Sequence, residues 1–168
     1  MTFQQIHSTI ESSAVFKKLK QENQNIELVA GFFVLDFISN DEKKTLDYKI
    51  PQTDKIFTFE LDKNNEVIMK QDKLINDPNL PKLQEIQPYT KIEVEELRAI
   101  AEKQALENNI KSRFHKIIAV LQIHDNQQVW NLTCMLEGLI ILNILVSCET
   151  GNIIKFDRKS MMDFIKKH

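Results

Sequence analysis

The feature that most constrains the fold of this chain is an order of local patterns that occurs twice. A helix pattern followed by short strand patterns covers residues 2–70, and the same order covers residues 90–157. Between them, residues 76–89 hold three of the four prolines in the 168-residue chain, and proline interrupts both helices and sheet ladders. We therefore expect an α+β protein of two tandem helix-plus-antiparallel-sheet units, related by internal duplication, with a short C-terminal helix.

This reading divides the chain into three parts. Residues 1–75 are expected to form an N-terminal helix plus β-meander unit, and residues 76–89 a proline-containing linker. Residues 90–168 are expected to form the C-terminal helix plus β-meander unit, and its terminal helix is expected to start near Ser160.

Both expected helices begin with the spacing of a capping box. Thr2 stands three residues before Gln5, and Thr90 stands three residues before Glu93. In such a box the hydroxyl and the longer polar side chain satisfy backbone amides that lack helical partners. The spacing predicts helix starts at both places.

The register of one hairpin can be tested against the sequence. If Asp125-Asn126 is a two-residue turn, three pairs of apolar residues face each other on one side of the hairpin. These pairs are Leu121 with Trp130, Ala119 with Leu132, and Ile117 with Cys134. A slip of one residue would move every side chain to the other face, so the pattern predicts this register.

The strand predicted over residues 26–38 is apolar along most of its length, which is typical of a central strand buried on both faces. Gly31 within it indicates a bulge or a close approach of another group to the backbone. Asp36 interrupts the apolar run. If this carboxylate is buried, it has to be paired or to have a raised pKa.

Two short segments resemble a known type of module. Val129-Trp130-Asn131 in a middle strand and the turn Thr150-Gly151-Asn152-Ile153 are similar to the pattern of PepSY and cystatin-like units. Ser147 stands where that pattern has an aspartate, and Asn152 replaces its acidic residue. The resemblance covers residues 92–157, and it implies a helix cradled by an antiparallel sheet and a non-catalytic binding or inhibitory role.

Charge and apolar patterning disfavour several functional classes. The chain has 22 basic and 24 acidic residues, and nucleic-acid binders usually carry a basic excess. The longest apolar stretch, residues 136–148, is 13 residues long and therefore too short for a helix across a bilayer. The first residues lack the pattern of a secretory signal, and two cysteines are too few for a disulfide framework. We expect a soluble cytoplasmic protein with no membrane span.

No catalytic, metal or cofactor motif was identified, and none of these groups is expected. The favoured function is a non-catalytic binding or protein-interaction module, with a protein partner or a homodimer formed by sheet-edge pairing. The alternative is a carrier of a small apolar ligand in the concavity between sheet and helix. The residues expected to line that concavity are Leu121, Trp130, Leu132 and Ile144. An enzyme using Asp36, His115 or Cys134 is the least supported reading.

Overall fold

One antiparallel sheet of eight strands is the frame of the molecule. The structure, a computed structural model, describes residues 1–73 and 82–160. In sequence order the strands are Glu27–Asp36 (β1), Lys43–Lys49 (β2), Lys55–Leu61 (β3), Val67–Lys73 (β4), Phe114–His124 (β5), Gln127–Leu136 (β6), Ile140–Ser147 (β7) and Ile153–Ser160 (β8). Their order in the sheet is β4-β3-β2-β1-β5-β6-β7-β8.

The expectation of two tandem helix-plus-sheet units is wrong, because the strands of both halves belong to one continuous sheet. β1 pairs with β2 on one side and with β5 on the other, and the β1–β5 register runs from Gly31 opposite Leu121 to Asp36 opposite Lys116. β1 is apolar at nearly every position, and a strand of this kind is stable only as an interior strand. The fold is therefore dominated by the sheet. The boundaries at residues 75 and 89 stay a prediction.

Within the described residues, three helices pack on one face of this sheet. They are Phe3–Glu11 (α1), Ala14–Glu22 (α2) and Val94–Glu107 (α3). The capping box of Thr2 and Gln5 is confirmed, since each side chain accepts a hydrogen bond from the backbone N–H of the other residue. Ser13 caps α2, so the two serines at 12 and 13 separate two short helices.

The expected start of α3 at Thr90 is wrong. Glu93 is the residue that precedes the helix, and its backbone N–H donates to the Glu96 carboxylate at 2.7 Å. The Thr90 hydroxyl instead lies near the carbonyls of Ile92 and Cys148, to which it can donate at 3.0 and 3.2 Å. Thr90 therefore ties the chain before the helix to the end of β7.

Aromatic side chains fill much of the space between helices and sheet. The Trp130 ring meets Phe33 edge to face at 5.7 Å, and Phe33 meets Phe3 of α1 at 6.1 Å. The close approach predicted at Gly31 is confirmed, because a Cβ atom there would lie 2.8 Å from the Phe3 ring. A register shift between Leu28 and Ala30 adds a bulge just before it. These contacts hold α1 directly against the central strand.

The predicted hairpin is confirmed in its register and its turn. Leu121 faces Trp130, and the two other predicted pairs are also observed. Asp125 and Asn126 have φ angles of 49° and 61°, as the tight hairpin turn that matches strand twist requires. β8 continues to Ser160, and the predicted terminal helix lies outside the described residues.

No helix in the described ranges has the length and apolar character needed to cross a membrane.

Candidate interaction surface

The sheet has one face without a described helix, and we call it the helix-free face. Side chains alternate between the two faces of a strand, so β1 and β5 point alternate residues away from the helices. Five of these residues are apolar and form what we call the central stripe: Ala30, Phe32, Val34, Ile118 and Val120. None of them belongs to the hydrophobic cluster that joins the helices to the sheet.

The central stripe is contiguous because its members are neighbours across the β1–β5 ladder. Phe32 stands opposite Val120, and Val34 stands opposite Ile118. Ala30 and Val34 are 7% and 9% exposed, while the other three side chains are half-buried. Apolar side chains thus meet along the middle of a face that the described helices leave uncovered.

The strands beside the stripe carry small polar groups. On β2, Thr45 stands next to Phe32. On β6, Asn131 stands next to Val120, and Thr133 stands next to Ile118. Charged side chains lie on the same face as well: Asp47 and Lys43 directly beside the stripe on β2, and Glu60 on β3 and Lys155 on β8 farther out. An apolar centre with a polar rim is the usual organisation of a protein–protein interface.

Asp47 is a carboxylate that borders the stripe on β2. It stands beside Ala30 in the register, and its Oδ1 accepts a hydrogen bond from the Thr58 hydroxyl at 2.7 Å. Burial raises the pKa of Asp47, and the bond from Thr58 opposes that rise. Burial therefore disfavours the ionised form of Asp47 beside the stripe.

Asp36, predicted as a possible buried carboxylate, is 4% exposed and is paired. Its oxygens accept hydrogen bonds from the Ser39 hydroxyl at 2.5 Å and from the backbone N–H groups of Ser39 and Ile38 at 2.9 Å. These hydrogen bonds hold the pKa of Asp36 well below its usual range, and the bond from the Ser39 hydroxyl has the largest effect. Lys116 on β5 lies 4.0 Å away. Asp36 thus closes the turn after β1, which is a structural role.

The four residues predicted to bind an apolar ligand lie on the opposite face, under the helices. Leu121, Trp130, Leu132 and Ile144 are all fully buried. The Trp130 Nε1–H donates to the Ile92 carbonyl at 2.8 Å, which anchors the ring to the chain just before α3. These side chains are part of the packed core, and ligand binding by them stays a prediction.

A polar cleft of about 360 Å³ opens at one end of the sheet, where residues 87–91 meet the β5–β6 and β7–β8 turns. Most of its polar groups already hold the loops together. The Gln128 amide accepts from the backbone N–H of Gln87 at 2.8 Å and donates to the Tyr89 carbonyl at 3.1 Å. The Ser147 hydroxyl accepts from the backbone N–H groups of Glu149 and Thr150. The cleft is therefore better explained as a junction of loops than as a ligand site.

The structure also brings together three titratable side chains that the sequence did not connect. Glu11 at the end of α1 contacts His7 at 2.6 Å and accepts from the Tyr48 hydroxyl of β2 at 3.0 Å. Burial favours the neutral form of Glu11, but the hydrogen bonds from His7 and Tyr48 outweigh it and lower its pKa. Burial also raises the pKa of Tyr48 far above its usual value. Tyr48 therefore keeps its proton, and the group serves to fasten α1 to the sheet.

Thiol chemistry is disfavoured by burial. Cys134 has no exposed surface, and burial raises its pKa to about 12. Cys148 is 4% exposed, and burial raises its pKa as well. The thiolate is the nucleophilic form of cysteine, so neither residue is prepared for catalysis. In residues 1–73 and 82–160, no three His, Cys, Asp or Glu residues are grouped so that they could hold a metal ion.

Comparison with known proteins supplies a fold and no activity. No family model and no curated protein matches the chain. Its fold is similar to the crystal structure of a "putative lipoprotein" from Clostridium difficile 630, with a TM-score of 0.59 and 12% sequence identity. The match covers 86% of this chain and 90% of that chain. At this identity the likeness concerns the fold alone, and the resemblance to PepSY and cystatin-like units stays a prediction.

Proposed function

We propose that this protein is a non-catalytic protein-interaction module that binds another protein chain on its helix-free face. The observation that carries this proposal is the central stripe, which lies on a face that the described helices do not cover. A sheet face that met only water would carry polar residues at these positions, so contiguous apolar residues there favour a face that another surface covers. The polar neighbours Thr45, Asn131 and Thr133 give the stripe the rim that such a site needs.

A broad partner fits this surface better than a small molecule does. Small ligands are usually held in concave sites that enclose most of their surface, whereas the stripe is spread across the faces of β1 and β5. The concavity under the helices is filled by core side chains such as Trp130 and Leu132. We therefore prefer a protein partner to an apolar small molecule.

Pairing at the sheet edges is disfavoured by the chemistry of the edge strands. β4 carries Lys70 and Lys73, and β8 carries Lys155, Arg158 and Lys159. Lysine on an edge strand opposes the addition of another strand, because a paired strand would force these charges against a second chain. A partner on the helix-free face avoids that cost.

The experiment is affinity capture from extracts of the source cell with three forms of the purified chain. The first is the wild type, and the second is Val120→Glu, which places a charge in the central stripe. The third is Lys103→Glu on an exposed position of α3, which changes charge on the other side of the molecule. A protein retained by the wild type and by Lys103→Glu but lost with Val120→Glu supports the proposal. Equal retention by all three forms contradicts it.

A further inference from the structure

We draw no further inference here: the strongest candidate, the central stripe of β1 and β5 on the helix-free face, belongs to the surface already described, and nothing in residues 1–73 and 82–160 shows what covers it.

Discussion

Substitution of Gly31 by alanine tests whether the contact between α1 and the central strand limits the stability of this fold. A Cβ atom at position 31 would lie 2.8 Å from the Phe3 ring and 3.0 Å from the Phe33 ring. Both rings are almost fully buried, so neither can move into solvent. The added methyl group therefore has to push α1 away from the sheet or force the rings out of their preferred rotamers.

The expected size of the effect follows from two opposing contributions. Overpacking a core of this kind costs typically about 1–3 kcal/mol. Replacing glycine by alanine gains about 0.4–1 kcal/mol by restricting the unfolded chain. The net loss should be about 1–2 kcal/mol, which corresponds to a decrease in Tm of roughly 2–8 °C for a domain of this length.

The assay is urea denaturation followed by fluorescence of Trp130, which is the sole tryptophan and lies against Phe33 in the core. Phe3→Leu removes the ring that the new methyl group meets, so the double variant with Gly31→Ala should lose less stability than the sum of the two single variants. Gly138→Ala is the matched control, because Gly138 has a φ of 86° and no neighbour within 4 Å of the added carbon. Its cost should add to that of Phe3→Leu without coupling. A stabilising Gly31→Ala, or full additivity with Phe3→Leu, would refute the steric argument.

Four further outcomes follow from individual residues. Trp130→Phe should cost about 0.5–1.5 kcal/mol, because the partly buried Ile92 carbonyl loses the indole N–H and keeps only the Thr90 hydroxyl as a donor; urea denaturation followed by circular dichroism measures this, and an unchanged midpoint would contradict it. The folded pKa of Asp36 lies below its ordinary value of 3.8, so the stability that Asp36 gives is present above that pH and is lost as the pH falls below it. Asp36→Asn should therefore lower the urea midpoint at pH 7 and make the midpoint less dependent on pH in acid. An equal decrease of the midpoint at pH 7 and pH 3 would contradict stabilisation by the ionised carboxylate. The pH dependence that Asp47 gives to stability has the opposite sign, because its folded pKa is raised. Its ionised form costs stability as the pH rises through that pKa. Asp47→Asn should therefore keep or raise the urea midpoint at pH 7. Cys134 should react with a thiol reagent only after unfolding, and rapid labelling of the native chain would show that the strand opens.

Local features of this fold could be predicted from the sequence because their signals lie close together along the chain. The hairpin register follows from the pairing of apolar residues around Asp125-Asn126, since a slip of one residue would expose Trp130. The capping box at Thr2 and the close approach at Gly31 follow from residue types with narrow structural roles. The start of α3 was predicted three residues too early. Thr90 and Glu93 have the three-residue spacing of a capping box, but the box that forms is the next one, of Glu93 and Glu96.

The joining of β1 to β5 could not be predicted, because no local pattern records which strands from distant parts of a chain become neighbours. Residues 37–113, 77 in all, separate the two strands, and the cost of closing a loop grows only slowly with its length. A signal was nevertheless present. Both strands carry apolar residues on the side away from the helices, at Phe32 and Val34 and at Ile118 and Val120. A strand that faced water on that side would alternate between apolar and polar residues.

The same junction explains why the helix-free face, and not an edge, is the surface to test. If β1 and β5 did not pair, each would be the apolar edge strand of a four-stranded sheet, which is a template for aggregation. Their pairing moves the sheet edges to β4 and β8, whose lysines oppose further strand addition. It also places the outward apolar residues of both strands side by side in one stripe, away from the helices. Charge on the edge strands thus opposes further strand pairing, whereas no described helix covers the stripe. A second protein chain is the simplest cover for the stripe.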